Sequence, residues 1–371
     1  MLTNKDGEAV PKQVEFNLMA SSFGGLMPRV RSYHQELVRA FGATHAELQS
    51  MPECASDSNF AAAMLQARDL YNRSVKGDGD IVFLVSGSEA NIFDQRHLER
   101  AIYHTLTDKV MSVRVRRVSF EDGLLARIRI DADRRLFIDD LEVAVLYFRH
   151  CYSPDHFPSD ASWQLRKMLE LNRAIKCPCI EYMLANTKLV QTGYSSPNWL
   201  ASKVYRTEMK NCALIEKSLA SQWTLSPEFG INSQQEIDEI VSKAMANPSN
   251  FVLKPQREGG ANNYFDAELV AKLKEMANTP QAKAFVLMER LKPPTTRNCL
   301  LPIAKGATPT SVEVTSELGF YGAFLSICEG DKEQILINQH SGHLVRTKPV
   351  HVNEAGINAG FAALDSPFLI D

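Results

Sequence analysis

A short loop with the residue types needed for nucleotide chemistry follows a β-prone run in the second half of this chain. The segment Phe251–Phe265 reads FVLKPQREGGANNYF. Lys254 ends the β-prone run, and its ammonium group is a compact cation suited to phosphate oxygens. The carboxylate of Glu258 and the amide oxygen of Asn263 are hard oxygen ligands of the kind that Mg²⁺ prefers. Two consecutive glycines let the backbone approach a ligand closely. The loop therefore has the groups that bind a nucleoside triphosphate and its metal ion.

The rest of the sequence lacks the usual phosphate-binding pattern. No GxxxxGK[ST] motif occurs in the chain, so the loop predicts ATP chemistry without a P-loop. The alternative for a Gly-Gly loop of this kind is a polar hairpin turn. A position between a strand and a helix favours the ATP interpretation.

A second pair of oxygen donors lies near the N-terminus. Glu15 and Asn17 are two residues apart, and if the segment is a short strand they point to the same face. A carboxylate and an amide on one face would form half of a Mg²⁺ site. A solvated strand face explains the same pattern.

Other polar clusters offer hydroxyls and cations at the ends of apolar segments, where sites are usually built. Ser21 and Ser22 precede Phe-Gly-Gly, Arg149 and Tyr152 end an apolar run, and Arg346-Thr347-Lys348 places two cations on one predicted strand face. An arginine and a tyrosine could hold a carboxylate by charge and hydrogen bonding. No motif for a covalent nucleophile accompanies them. This inventory is typical of a protein that brings together ATP, Mg²⁺ and carboxylates and catalyses by positioning and charge neutralisation.

Alternating strand and helix signals predict the elements that hold these groups. Ile81–Val85, Val113–Val118 and Glu142–Arg149 are predicted strands, and the apolar spacing in Asp94–Thr107 predicts a helix between the first two. This order indicates an α/β domain with an open sheet.

A second α+β unit is predicted around the glycine loop. The capping-box pattern Ser233–Glu236 begins a helix that ends at Asn247-Pro248, directly before the strand of Lys254. Apolar spacing predicts a further helix up to Met276, followed by the strand Ala284–Glu289. As a cation at the end of its strand, Lys254 is expected outside the core, so Lys254→Ala should not unfold the protein.

Composition limits the protein class. The 371 residues are 44% hydrophobic and 23% charged, with a net charge of −3, which suits a soluble globular protein of two or three domains. This charge balance gives no reason to expect nucleic acid or a membrane as partner. Seven cysteines, an odd number, favour a reducing compartment, and the expected location is the cytoplasm. Cys177 and Cys179 are expected to be buried free thiols, and His340 and His343 ordinary loop histidines, because no second ligand pair accompanies either.

An ordered set of motifs along the whole chain resembles one enzyme family. The motifs are ASSFGGL (20–26), FDQR (93–96), LYFRHCY (146–152), FVLKPQREGGANNYF (251–265), SELGFYG (316–322), GHLVRTK (342–348) and the ending AALDSPFLI. Together they are similar to eukaryotic-type glutathione synthetase. The resemblance implies an α/β (α+β) ATP-grasp architecture with an inserted α/β substrate-binding domain. The implied domains are 1–78 in the core region, 79–187 for substrate binding and 188–371 for the ATP-grasp domain with its glycine loop and C-terminal lid.

The same resemblance implies the reaction and its partners. ATP would phosphorylate the carboxylate of γ-glutamylcysteine, and the amine of glycine would attack the acyl phosphate to give glutathione, ADP and phosphate. The implied cofactors are ATP and Mg²⁺. The resemblance also implies a homodimer, provided that the family's N-terminal segment is present.

Site residues can be carried over by position from the matching motifs. The metal ligands would be Glu15, Asn17 and Glu258. The ATP contacts would be Lys188, Lys254, Gln256, Glu258, Gly259, Gly260, Asn262, Asn263, Phe265, Met288, Glu289, Glu317, Lys348 and Glu354. The substrate contacts would be Ser21, Ser22, Glu89, Asn91, Gln95, Arg149, Tyr152, Arg346, Ile357 and Asn358. Arg346, Lys188 and Lys254 would act in catalysis by neutralising charge.

Several departures from the family pattern suggest alternative hypotheses. Met1 aligns with an internal methionine of the family, so an N-terminal segment is expected to be missing, and a catalytically impaired form that binds nucleotide or a full-length partner is one alternative. Ala355 and Asn358 replace smaller residues in the lid, so a ligase with an altered acceptor amino acid is another. Ala20 replaces a serine, and Phe265 replaces a tyrosine near ATP.

Overall fold

The computed structural model describes residues 2–5, 8–105, 113–196, 199, 215–258, 262–277, 279–301, 310–330, 332–353, 356–357 and 360–369. The helices are α1 (Met27–Ala40), α2 (His45–Gln49), α3 (Ser56–Val75), α4 (Ile92–Thr105), α5 (Asp160–Glu170), α6 (Ile180–Ala185), α7 (Lys188–Tyr194), α8 (Gln234–Ala246) and α9 (Asp266–Met276). The strands are β1 (Leu2–Lys5), β2 (Glu8–Pro11), β3 (Asp80–Val85), β4 (Val115–Ser119), β5 (Ile128–Ile130), β6 (Leu136–Ile138), β7 (Leu141–Phe148), β8 (Ile175–Cys177), β9 (Gln222–Thr224), β10 (Phe251–Pro255), β11 (Phe285–Glu289), β12 (Thr296–Leu300), β13 (Thr310–Glu329), β14 (Lys332–Pro349) and β15 (Ala363–Asp365).

The chain divides into two compact units. Unit 1 comprises Met1–Asn17, Leu184–Glu317 and Arg346–Ala363, and unit 2 comprises Leu18–Met183, Leu318–Val345 and Leu364–Asp371. The long strands β13 and β14 each contribute residues to both units. The boundaries 1–78, 79–187 and 188–371 stay a prediction.

Unit 1 contains an antiparallel sheet in the order β10-β11-β9, with α8 and α9 packed on it. The buried side chains between these layers include Ile240 of α8, Leu253 of β10, Leu269 of α9 and Leu287 of β11. The predicted capping box is confirmed, because Ser233 Oγ accepts from the Glu236 amide at 3.3 Å and Ser233 N donates to Glu236 Oε2 at 2.7 Å. The glycine loop lies between β10 and α9, as the sequence predicts.

Unit 2 contains a mixed sheet in the order β4-β3-β7-β6-β5, with β8 paired to β7. Strand β3 is fully buried because helices cover both of its faces, which explains its continuous apolar sequence. Phe83 packs with α3 and α4 on one face, and Leu84 packs with α5 on the other. Strands β3 and β7 run parallel, with Leu84 opposite Phe148. The segments that follow them, from 86 and from 149, therefore start at the same edge of the sheet.

Three predictions of local structure need correction. Residues 15–17 do not form a strand. The helix predicted to begin at Asp94 begins at Ile92, and the strand predicted over Val113–Val118 spans Val115–Ser119. Thr107 lies outside the described residues. The strands predicted at Ile81–Val85, Glu142–Arg149 and Ala284–Glu289 are present with ends shifted by one residue.

The thiols predicted to be buried are also different. Cys177 and Cys179 are free, but Cys177 is exposed and Cys179 is half-buried. Among the described residues, no group of three or more histidine, cysteine, aspartate and glutamate side chains is arranged to hold a metal ion. No helix in the described part of the chain has the length and apolar character needed to cross a membrane.

Candidate active site

Lys188 and Glu258 come together in unit 1. Lys188 is the first residue of α7, and its Nζ lies 2.6 Å from the carbonyl of Arg257 and 3.3 Å from Glu258 Oε1. The same carboxylate oxygen accepts from Asn186 Nδ2 at 3.3 Å, and Asn186 is fully buried. The helix thus holds the start of the glycine loop through its first turn. Asn186 is a site residue that the sequence reasoning missed.

Glu15 and Asn17 form a local pair without a strand. Asn17 Nδ2 donates to Glu15 Oε1 at 3.0 Å. The side chain of Gln191 on α7 holds the residue between them, because it accepts from the Phe16 amide at 2.8 Å and donates to the Phe16 carbonyl at 3.2 Å. These two bonds replace the ladder that a strand would provide. Gln191, buried and polar in the middle of a short helix, is a second residue that the sequence reasoning missed.

The pKa directions show that charges converge around the two carboxylates. Burial alone would raise the pKa of Glu15, but Lys254, the hydrogen bond from Asn17, and the Arg346 and Lys188 charges lower it overall. Burial raises the pKa of Glu258, and the charge of Glu15 raises it further, so that the opposing Lys188 and Lys254 do not cancel the increase. Two carboxylates and three cations therefore share one electrostatic neighbourhood in unit 1.

Arg346 is bound to a carboxylate on the neighbouring strand. Its guanidinium pairs closely with Glu317 of β13 and lies 3.9 Å from Glu15 Oε1. Lys348 lies two residues further on the same face of β14, and its Nζ donates to the Asn353 carbonyl at 2.6 Å. The predicted placement of two cations on one strand face is confirmed. Thr347, between them, is buried and bonds Ser316 on the opposite face.

Lys254 is buried, with only 8% of its surface exposed, so the expectation that it lies outside the core was wrong. It lies within β10 and pairs with Val286 of the central strand β11, and its neighbours Val252 and Leu253 are buried as well. A buried ammonium group needs partners, and Lys254 acts electrostatically on both Glu15 and Glu258.

An apolar cluster forms a second part of unit 1. Met288 packs with Ala220 and Val252, and the ring of Phe265 packs against this group. The Arg290 guanidinium lies 5.2 Å from the centre of the Phe265 ring. Apolar and aromatic side chains of this kind line most small-molecule sites, and a nucleobase is one ligand that they would suit.

The remaining predicted ATP contacts, and the predicted substrate contacts of the lid, lie elsewhere in unit 1 or outside the described residues. Glu289 is paired in the sheet through its amide, and Gln256 N donates to the Ala284 carbonyl at 2.7 Å. Asn262 and Asn263 lie on the return of the loop, where Tyr264 pairs with Leu253. Ile357 is part of a turn in which its carbonyl accepts from Gly360 N at 2.9 Å. The predictions for Gly259, Gly260, Glu354 and Asn358 lie outside the described residues.

Ser21, Ser22 and Arg149 are joined directly in unit 2. Arg149 follows β7, is 6% exposed, and donates to the Ser21 carbonyl at 2.7 Å and to Ser22 Oγ at 3.0 Å. The hydroxyl of Tyr321 donates to the Ser22 carbonyl at 2.6 Å. The arginine therefore fixes the backbone of the serine loop as well as offering a charge for a ligand carboxylate.

Asp94 fastens the same loop from the first turn of α4. Its Oδ1 accepts from Gly25 N at 2.7 Å and Leu26 N at 3.1 Å, and its Oδ2 accepts from Phe23 N at 2.7 Å. These amides precede α1, which has no side-chain cap of its own. A Cβ atom on Gly25 would lie 2.2 Å from the Asp94 carbonyl, so only glycine permits this approach. An acidic residue in the first turn of a predicted helix was the signal that could have identified Asp94.

Glu89, Asn91 and Gln95 follow the carboxyl end of β3. Glu89 Oε1 accepts from Asn91 N at 2.9 Å, and Asn91 Nδ2 donates to Asp94 Oδ2 at 3.2 Å. Gln95 is 2% exposed, and its Oε1 accepts from Arg117 Nη2 at 2.8 Å. Polar residues at the carboxyl ends of adjacent parallel strands are placed where α/β folds bind ligands.

Tyr152 contacts His156, which in turn stacks on a second histidine. The Tyr152 amide donates to His156 Nδ1 at 3.3 Å, and the two rings meet edge to face at 4.8 Å. His156 stacks on His150 at 3.7 Å. Burial and the neighbouring His156 lower the pKa of His150 to about 4. The sequence reasoning missed both histidines.

Comparison with known proteins decides the family. Residues 1–369 match the family described as "Eukaryotic glutathione synthase, ATP binding domain". The glutathione synthetase of Bos taurus is 35% identical over 365 residues, covering 98% of this chain and 72% of the bovine protein. The glutathione synthetase of Xenopus laevis is 36% identical over 365 residues, with 98% and 72% covered. This chain belongs to the eukaryotic glutathione synthase family.

A solved structure supports the fold. A glutathione synthetase-like effector, GSS30, from Globodera pallida in its apo form superposes with a TM-score of 0.72 at 23% identity, covering 100% of this chain and 73% of that one. The α/β fold class predicted from the sequence is thereby confirmed. Within this family member, the predicted nucleotide and metal residues lie in unit 1. The predicted substrate residues lie in unit 2, except Arg346 and Ile357, which lie in unit 1, and Asn358, which lies outside the described residues.

Proposed function

We propose that this chain joins γ-glutamylcysteine to glycine at the expense of ATP and so makes glutathione. The observation that carries the proposal is the meeting of Lys188, Lys254 and Arg346 with the two carboxylates Glu15 and Glu258. A phosphoryl group that is being transferred spreads negative charge over its oxygens, and fixed cations stabilise that charge. The specific reaction is inferred from membership of the eukaryotic glutathione synthase family.

The residues of unit 1 would hold ATP. The ammonium groups of Lys188, Lys254 and Lys348 would neutralise phosphate charge, since lysine binds phosphate oxygens as a point charge. The backbone near Met288 and the ring of Phe265 would receive the adenine, and Glu317 would accept from the ribose. Arg346 would then exchange its pairing with Glu317 for the ligand. Gly259, Gly260 and Asn262 would cover the phosphates, with Gln256, Asn263, Glu289 and Glu354 completing the contacts.

The donor set of Glu15, Asn17 and Glu258 fits Mg²⁺. This ion is usually bound by one or two carboxylates, with water and substrate phosphates supplying the other oxygens. Burial and, to a smaller extent, the charge of Glu15 raise the pKa of Glu258, and a divalent cation bound by the two carboxylates would offset both effects. Bound Mg²⁺ would neutralise charge on the β- and γ-phosphates of ATP.

The residues of unit 2 would bind γ-glutamylcysteine. The dipeptide has two carboxylates and an ammonium group, so its site needs both cations and acidic or carbonyl acceptors. Arg149, Ser21, Ser22 and Tyr152 would bind a carboxylate, and Glu89 with Asn91 would bind the ammonium end. Gln95 would add a hydrogen bond to the same ligand.

The reaction would proceed in two substitutions. A carboxylate oxygen of the cysteine residue attacks the γ-phosphorus of ATP, and the bond to the bridging oxygen breaks to release ADP. The amine of glycine then attacks the acyl carbon, phosphate leaves with the carboxylate oxygen, and the amine loses a proton. Cationic side chains lower the barrier of the first step by matching the charge on the transferred group. Ile357 and Asn358 in the lid would lie beside glycine and exclude water from the acyl phosphate.

We further infer a cytoplasmic enzyme that prefers glycine as its acceptor and that forms a homodimer if the family's N-terminal segment is present. Family membership supports the dimer, and the reducing character of the cysteine set supports the cytoplasm. Light scattering on the purified chain tests the dimer, and fractionation of cells that express it tests the location. Competition among glycine, alanine and serine tests the acceptor.

An omission assay tests the proposed reaction. Phosphate release by the purified chain is measured with ATP, Mg²⁺, γ-glutamylcysteine and glycine, and then with each component left out. The proposal expects release only with all four present and an equal amount of glutathione. Release that continues without γ-glutamylcysteine would refute it.

A further inference from the structure

Only one of the two polar atoms in the side-chain amide of Gln95 has a hydrogen-bond partner among the described residues. Gln95 lies in the first turn of α4 and is 2% exposed. Its Oε1 accepts from Arg117 Nη2 at 2.8 Å. Its Nε2 is fully buried and has no hydrogen-bond partner within the described part of the chain. One strong donor is therefore held in the fold without an acceptor.

Arg117 determines which atom of the Gln95 amide is without a hydrogen-bond partner. A guanidinium group has only donors, so the oxygen of Gln95 must face Arg117 and the NH₂ group must face away. The arginine is itself fixed, because its Nη1 donates to Glu99 Oε1 at 2.6 Å. The other oxygen of Glu99 accepts from Arg96 Nη1 at 2.7 Å. Glu99 is 7% exposed, so rotation of Arg117 would leave a buried carboxylate without one of its cations.

A buried donor without a partner is costly, at about 1–3 kcal/mol. Such groups are rare in folded proteins, and each one needs a physical reason. Gln95 is one of the residues proposed to contact the dipeptide, and it follows Asp94, which fastens the serine loop. Arg149, in the same proposed set, also has a buried Nε without a hydrogen-bond partner among the described residues. A ligand that offers acceptors would satisfy both donors.

We propose that Arg117 is a positioning residue for the dipeptide site. By binding Oε1 of Gln95, it presents Nε2 to the ligand, so that this point of the site accepts a carboxylate oxygen and rejects a donor. The inference rests on the proposed function, and it adds a residue that touches neither substrate nor ATP. Arg117 would act through the orientation of one amide group.

A double-mutant cycle tests this role. The variants are Arg117→Met, Gln95→Leu and the two combined, and the KM for γ-glutamylcysteine, the KM for ATP and kcat are measured for each. Arg117→Met should raise the KM for the dipeptide about ten-fold, as expected for losing a hydrogen bond to a charged group, and leave the KM for ATP unchanged. In the Gln95→Leu background it should add nothing, because its effect passes through that amide.

Arg96→Met is the matched control. Arg96 binds the same carboxylate, Glu99, but its side chain is 59% exposed, so the dipeptide KM of this variant should equal that of the wild type. Arg117→Lys keeps one donor and should restore part of the affinity. If Arg117→Met does not fold, Gln95→Glu replaces it, because its second oxygen would repel a ligand carboxylate and should raise the KM above that of Gln95→Leu.

Three results would overturn the inference. The first is a wild-type KM for γ-glutamylcysteine in Arg117→Met. The second is a rise in this KM on replacing Arg117 that is equal in the presence and absence of Gln95. The third is a KM for Gln95→Glu no higher than that for Gln95→Leu. All three require a wild-type chain that uses the dipeptide. A wild type that neither binds nor consumes γ-glutamylcysteine would refute the proposed function, and the inference with it, so the two failures are distinguishable.

Discussion

Asp94→Asn should weaken both the fold of unit 2 and its affinity for the dipeptide. The carboxylate accepts three backbone N–H bonds from the loop before α1 and one bond from Asn91. Asparagine has the same shape, but its NH₂ group is a donor. Whichever way the new amide turns, it places that donor against at least one backbone N–H. The substitution therefore tests the acceptor chemistry without creating a cavity.

The magnitude follows from the bonds that are lost. A buried N–H left without a partner costs about 1–3 kcal/mol. Removing a negative charge from the N-terminus of α1 costs about 0.3–1 kcal/mol more. A total of about 1–4 kcal/mol corresponds to a fall in Tm of about 3–15 °C for a domain of about 150–250 residues.

Calorimetry of the purified chain at neutral pH measures this shift, and the KM for γ-glutamylcysteine should rise because Ser21 and Ser22 lie on the loosened loop. Asp140→Asn is the matched control, since its carboxylate is 93% exposed and lies 3.9 Å from Arg129, whose side chain is 53% exposed. An exposed pair of this kind contributes about 0–1 kcal/mol. A Tm for Asp94→Asn no lower than that of the control would refute the reasoning.

Three further predictions concern the phosphate, metal and histidine groups. Lys254→Met should raise the KM for ATP about ten-fold or more, because it removes a charged phosphate contact, and methionine fills the buried volume better than alanine would. Lys243→Met changes an exposed lysine and should leave the KM for ATP unchanged. Equal KM values in a titration of both variants would contradict the assignment of Lys254 as a phosphate contact. Glu258→Gln should raise the Mg²⁺ concentration needed for half-maximal activity, and excess Mg²⁺ should partly restore the activity. Glu239→Gln changes an exposed carboxylate and should match the wild type. An unchanged Mg²⁺ dependence in Glu258→Gln would exclude Glu258 as a ligand. The pKa of His150 is lowered, so the folded state binds fewer protons than the unfolded state between about pH 6.5 and about 4. The contribution of neutral His150 to the free energy of unfolding is therefore complete above pH 6.5 and is lost as the pH falls to about 4. The expected loss is about 1–2 kcal/mol for this half-exposed group, measured by urea unfolding at several pH values, and His150→Asn but not the exposed His351→Asn should reduce it.

Local patterns predicted the elements whose cause is local. The apolar run Ile81–Val85 became a fully buried strand because helices cover both sheet faces, and such strands keep apolar residues at every position. The capping box at Ser233 needs only residues within one turn, so its sequence pattern was sufficient. The loop between β10 and α9 was predicted for the same reason.

Features that depend on distant residues were not predictable in this way. The segment 15–17 is held by the side chain of Gln191, 175 positions from Phe16, in place of a strand partner. The burial of Lys254 depends on its place within the sheet of unit 1, which the pattern of its own strand does not report. Asp94 and Arg117 act on loops and amides far along the chain. Residues that position a site are the hardest to find, because their partners are set by tertiary structure.

The fate of one oxygen atom tests the central claim, that this chain makes a peptide bond through an acyl phosphate. γ-Glutamylcysteine labelled with ¹⁸O in its cysteine carboxylate is incubated with the purified chain, ATP, Mg²⁺ and glycine, and the phosphate is analysed by mass spectrometry. If the peptide bond forms through an acyl phosphate, one labelled oxygen appears in the phosphate for each glutathione formed. Glutathione formed with unlabelled phosphate, or phosphate released without glutathione, would contradict it.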